Sequence, residues 1–93
     1  MQLPIEYAKA HHSIRKKARL QYAEEQKEKC CHCGFTLKGG ASPKIANKKI
    51  NHNLFPRGFF NNPVHLHHSH ETGLTIGAVH AKCNAVLWQY HHE

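Results

Sequence analysis

The residues able to do chemistry crowd into one stretch, Pro63 to Asn84, which reads PVHLHHSHETGLTIGAVHAKCN. Four histidines, His65, His67, His68 and His70, fall within six positions, and His80, Cys83 and Asn84 follow a Glu71-Thr72-Gly73 turn. Imidazole titrates near neutrality and so can take up a proton at working pH; the neutral ring is also an ordinary metal ligand. The sequence contains no aspartate, and its six acidic residues, Glu6, Glu24, Glu25, Glu28, Glu71 and Glu93, form no cluster. The paired carboxylate site of two-metal nucleases is therefore excluded. Any metal chemistry must rest on histidine and asparagine.

Such residues need elements to aim them. Val64 and Leu66 alternate with histidines, Thr75 and Ile76 are β-formers, and Ala81 to Tyr90 reads as helical. The stretch 63–90 is thus expected to be a β-hairpin that delivers its side chains onto the first turn of a helix. Upstream, Tyr7, Ala10, Ile14, Ala18 and Tyr22 recur every three or four residues, which predicts an amphipathic helix over about residues 5–28. The sequence CCHCG at 30–34 follows at once, its glycine permitting a tight turn.

Four cysteines in a chain of 93 residues could mean two disulfides. The N-terminus shows no charged-then-apolar leader, and the pairs Cys30-x-x-Cys33 and His80-x-x-Cys83 have metal-ligand spacing, so zinc is the better reading. Cys30 fits the spacing to Cys33, which leaves Cys31 as a spare thiol and His32 as an exposed residue within the knuckle.

The run Leu66-His67-His68-Ser69-His70-Glu71-Thr72-Gly73, then Gly77, then His80-x-x-Cys83-Asn84, resembles the core motif of the HNH, or ββα-metal, nucleases. It is most similar to the phage recombination endonuclease VII type, with its Leu-Asp-His-Asp-His-Glu-x-Gly and Cys-x-x-Cys-Asn patterns. With Cys30 and Cys33 the resemblance spans residues 30–84. His67 stands where that family usually carries a metal-binding aspartate, His80 where it carries a cysteine, and Ser69 where it carries an acidic residue.

The resemblance implies an α+β fold, a small zinc-stabilised ββα-metal domain preceded by the amphipathic helix. It implies a closed structural zinc site of Cys30, Cys33, His80 and Cys83. It further implies that His67 and Asn84 hold one divalent cation, that His68 is the general base toward an attacking water, and that His70 supports them. With His67 replacing a carboxylate, Mn²⁺, Ni²⁺ or Co²⁺ should compete better with Mg²⁺. The implied activity is metal-dependent DNA endonuclease, one strand being hydrolysed per engagement.

Composition fits that direction. The net charge is +7 with histidines neutral, which attracts polyanions irrespective of sequence. At this length one domain is expected, with a modest core that a structural metal would supplement. No apolar run is long enough to span a membrane, and the expected compartment is the cytoplasm, that of the host if the chain is phage-encoded. Arg15, Lys16 and Arg19 on the first helix read either as a solvated face or as phosphate contacts. Residues 38–62, rich in Gly, Asn and Lys, are expected to be a loop with short extended pieces at 49–50 and 54–55. There Lys44, Lys48, Lys49 and Arg57 are candidate DNA contacts. Phe55, Phe59 and Phe60 could stack on bases but read as core, as does Trp88; His91 to Glu93 read as a frayed end. The chain stops about ten residues past the motif, so branched-DNA resolution through a longer C-terminal region is not expected, and a monomer or small homodimer is. The alternative function is a non-catalytic zinc-dependent DNA-binding module, and a protein-binding zinc ribbon is a more distant one.

Overall fold

Residues 1–93 are described by a computed structural model. The histidine-rich stretch forms strands β1 (Val64–His68) and β2 (Thr75–His80), and β2 runs directly into a helix over Ala81–His91. Ahead of them lie α1 (His12–Glu25) and the single-turn α2 (Pro43–Ala46), so the C-terminal helix is α3. The result is a small α+β unit with a two-stranded antiparallel sheet.

β1 and β2 pair from Val64 opposite His80 to His67 opposite Gly77, after which the register slips and His68 faces Thr75. Ile76 is left out of the ladder. A bulge of this kind turns the strand locally, while His67 and His68, as neighbours on one strand, point to opposite faces. The turn is closed by Gly73 at φ +76°, a conformation open to glycine without cost, and by Ser69, whose Oγ accepts from the Glu71 and Thr72 amides at 3.2 and 3.1 Å. Ser69 therefore serves the hairpin.

The first helix is shorter than its periodicity suggested. It starts at His12, not near Ile5, because the preceding residues are taken by the hairpin: Thr75 N–H donates to the Ile5 carbonyl at 3.0 Å and Tyr7 N–H to that of Gly73 at 2.9 Å. His11 then caps the helix, its Nδ1 accepting from Ser13 N–H at 3.3 Å. The helix stops at Glu25 rather than Glu28, since Lys27 and Glu28 both adopt left-handed backbone, φ +58° and +62°, which ends any α-helix.

Gln26, just past that end, does the work of a missing strand. Its side-chain amide accepts from Ala78 N–H and donates to Ala78 C=O, both at 2.9 Å, while Cys31 N–H reaches the same carbonyl at 2.9 Å. The free edge of β2 is thereby closed. Gly77 makes this approach possible, because a Cβ there would lie 2.8 Å from Gln26 Oε1 and 2.9 Å from Cys31 Sγ.

The core gathers Ala78 and Val79 of β2, Cys83 and Val86 of α3, Ala23 of α1, and Cys30, Leu37 and Ile45. α1 is fastened to β2 by Tyr22, whose hydroxyl lies 2.9 Å from Thr75 Oγ1. Residues 38–62 are not the bare loop expected. Pro43 starts α2, which sinks Ile45 into the core, and His52–Leu54 forms a 3-10 turn where an extended piece was expected. α3 pins the intervening chain, Tyr90 Oη donating to the Lys49 carbonyl at 2.8 Å. Trp88 is not core: it is 38% exposed. Phe55, Phe59 and Phe60 stay half-buried outside the main core, packed on one another with ring centroids 4.8 to 5.9 Å apart.

Candidate metal centre and histidine cleft

Cys30, Cys33, His80 and Cys83 converge, with their ligand atoms all within 4.8 Å of one another. His80 Nδ1 lies 3.4 Å from Cys33 Sγ and 3.6 Å from Cys83 Sγ, close to the edge of a tetrahedron with Zn–S and Zn–N bonds of about 2.3 and 2.0 Å. Its other nitrogen, Nε2, donates to the Thr36 carbonyl at 2.8 Å, the outer contact that fixes the tautomer of a metal-binding histidine. The knuckle is built for the same end: Gly34 sits at φ +80°, and the His32 and Cys33 amides point at Cys30 Sγ at 3.4 and 3.5 Å. The neighbouring Cys83 thiol, aided by backbone amides and opposed by desolvation, lowers the Cys30 pKa, while that of Cys83 is pushed up. The set is placed to hold a metal ion, and three sulfurs with one imidazole fit zinc. It is also closed, with no open position for water or substrate. Cys31 lies outside it, an exposed thiol beside Gly77, and His32 is exposed as expected.

A second constellation lies where α3 meets β1. Asn84, in the first turn of α3, points its Nδ2 at His65 Nδ1, 3.1 Å away. Burial lowers the His67 pKa, with the neighbouring Asn84 opposing that shift, and burial likewise lowers the pKa of His65. The Asn84 amide is thus oriented by His65 through its nitrogen, which leaves Oδ1 for other partners. A neutral imidazole and an amide oxygen are a fitting donor pair for one divalent cation.

His68 belongs to a different structure, a column of stacked rings. Its ring lies 3.9 Å from that of Tyr7 at 9° and 4.9 Å from that of His70 at 9°, and His70 in turn lies 5.1 Å from Trp88 at 18°. Arg15 covers the far face of the column, its guanidinium 3.9 Å from the Tyr7 centroid and its Nε donating to the Tyr7 carbonyl at 2.9 Å. Burial is the main reason that the His68 pKa is lowered, followed by the like charges of His70, His67 and Arg15. The ring is held in one plane between its neighbours.

The two constellations meet in a cleft of about 650 Å³, where His65, His68, His70 and Asn84 lie together with Trp88. His67, 7% exposed, is not part of its wall. Of the basic residues singled out from sequence, Arg15 and Arg19 line this cleft. Lys16 and Lys49 are exposed elsewhere, Lys48 rests its Nζ 4.6 Å from the Tyr90 ring, and Arg57 is exposed on the phenylalanine loop. Against family models, curated proteins and solved structures alike, the chain finds no match. No helix is long and apolar enough to cross a membrane.

Sequence reasoning assigned no role to His65 or Tyr7. A signal existed for His65, since the period of two puts it on one face with His67. Tyr7 carried none, because its partner lies 61 positions away and the helical periodicity claimed it for α1.

Proposed function

We propose that the protein is a metal-dependent DNA endonuclease of the HNH type that hydrolyses one phosphodiester per engagement. The observation that carries this reading is the meeting of Asn84 and His68 in one cleft, with the Asn84 amide already oriented by His65. His67 and Asn84 would hold one divalent cation, which when bound neutralises charge developing on the scissile phosphate. His68, neutral and immobilised between Tyr7 and His70, takes the proton of the attacking water. His70 buttresses that ring from its other face. Arg15 and Arg19 draw the phosphate in. The Cys30–Cys33–His80–Cys83 set, holding zinc, fixes the start of α3 and hence Asn84, one residue beyond Cys83.

The test is incubation of supercoiled plasmid with zinc-loaded protein and Mg²⁺, Mn²⁺, Ni²⁺ or Co²⁺ in turn. Open-circular DNA that forms with wild type and not with His68→Ala is the expected result. Binding without cleavage under every cation would leave the non-catalytic DNA-binding module.

A further inference from the structure

The cleft has two unlike kinds of lining. Arg15, Arg19 and His12 are supplied by α1, and Leu54, Phe55 and Phe59 by the segment between α2 and β1. Glu93 also lines the cleft, but the single ion pair of the protein joins Lys9 and Glu6, so neither arginine has a carboxylate within ion-pair distance. Arg15 is fixed in place by its bond to the Tyr7 carbonyl and its contact with the Tyr7 ring, which leaves further guanidinium N–H groups for an anion. The second wall is apolar and open: Leu54 is 52% exposed, and Phe55 and Phe59 are half-buried and outside the main core. Trp88, also exposed, borders the floor.

A ligand matched to both walls is an anion joined to a flat apolar ring. Phosphate alone would leave the phenyl wall wet. An intact duplex would present phosphates to the arginines, but its base faces are stacked inside the helix and only base edges reach the grooves. A strand whose base is free satisfies both walls, because basic grooves with aromatic platforms are how single strands are bound. The volume, about 650 Å³, suits a small organic group rather than a double helix.

We propose that the cleft receives an unpaired nucleotide, its base against Phe55 and Phe59 and its phosphate between Arg15 and Arg19, so that the preferred DNA is single-stranded or locally unpaired, as supercoiling makes a plasmid. This rests on the nuclease reading for what happens to the phosphate, and on the walls for the shape of the substrate.

Binding can be tested without cleavage. Trp88 is the only tryptophan, so its fluorescence in zinc-loaded protein without other divalent cation reports occupation of the cleft. A short thymidine oligonucleotide should change that emission and bind more tightly than a duplex of equal length. Phe55→Leu and Phe59→Leu, checked for zinc content and circular dichroism, should weaken single-strand binding roughly five- to a hundredfold with duplex binding unchanged, and Arg19→Gln should weaken both. Duplex binding as tight as single-strand binding, with no change of Trp88 emission by the oligonucleotide, overturns the proposal whether or not the variants fold. Single-strand binding with altered emission but no cleavage under any cation supports it while refuting the nuclease reading. Cleavage of relaxed duplex at the rate of single strands, with no loss in the phenylalanine variants, overturns it and leaves the nuclease standing.

Discussion

Gly77→Ala is a one-methyl change whose cost follows from geometry. No left-handed backbone is involved, so the effect is steric: the new Cβ would lie 2.8 Å from Gln26 Oε1, 2.9 Å from Cys31 Sγ and 3.0 Å from Cys31 Cβ. Something must move, and the Gln26 amide is the freest of these. Moving it breaks its two 2.9 Å bonds to Ala78. The Ala78 carbonyl keeps Cys31 N–H, but its own N–H, on a residue with no exposed surface, is orphaned. An unsatisfied buried donor costs about 1–3 kcal/mol, and overpacking adds about 1 kcal/mol where Cys31 cannot yield. The expected loss is about 2–4 kcal/mol. At roughly 4–8 °C per kcal/mol for a domain of this size, the melting midpoint of zinc-loaded protein should fall by about 8–32 °C. Gln26→Ala alone should cost about 1–3 kcal/mol for the same orphaned amide. The double variant should then be little worse than Gly77→Ala, since the contact is already lost. Melting by circular dichroism on all four proteins checks this. A Gly77→Ala protein that melts with wild type, or strictly additive losses in the double variant, would refute the reasoning.

Four further outcomes are expected. His68→Ala should lower cleavage by roughly two to four orders of magnitude while zinc content and DNA affinity hold; plasmid nicking at the wild-type rate would remove His68 from the mechanism. Because burial and the neighbouring cations hold the His68 pKa below its ordinary value, the base loses its lone pair only under more acidic conditions, so the rate should fall as pH drops through a midpoint below about 6.5; Arg15→Gln should move that midpoint upward in a pH–rate profile, and an unmoved midpoint counts against the assignment. His65→Ala frees the Asn84 amide and should weaken divalent binding by roughly 10- to 100-fold, read by titration calorimetry in parallel with Asn84→Ala and His67→Ala; normal affinity in all three would dissolve the cation site. Cys83→Ser removes a fully buried member of the metal cluster, and because metal binding and folding free energy are largely the same quantity in so small a domain, it should unfold or release zinc, which a metal-release assay with a chromogenic chelator would detect.

What could be read from sequence was what is local. The Cys30/Cys33 and His80/Cys83 spacings, the strand alternation around Leu66 and the turn at Gly73 are each set within a few residues, and the structure has a hairpin, a helix and a four-donor cluster there. The limits of α1 were not legible, because Ile5 and Tyr7 hydrogen-bond to a turn far along the chain and the pair Lys27-Glu28 takes left-handed backbone that neither residue type favours. Trp88 looked like core because it is large and helical, yet His70 draws it to the surface as the end of a stack. The phenylalanines were misjudged for a related reason. Hydrophobicity says that a side chain avoids water, not which of two apolar surfaces it joins.

The metal cluster joins positions 33 and 80, which are 47 residues apart, and the segment between them carries the phenyl wall of the cleft. Chelating the ion there would open that long loop, and the wall would lose its place although none of the four donors lines the cleft. Inactivation by a chelator would therefore have two time courses. A cation drawn from Asn84 is restored at once by adding Mn²⁺, whereas protein whose loop has opened recovers only at the pace of refolding around new zinc, so that rapid add-back after brief chelation separates the ion that acts from the ion that holds.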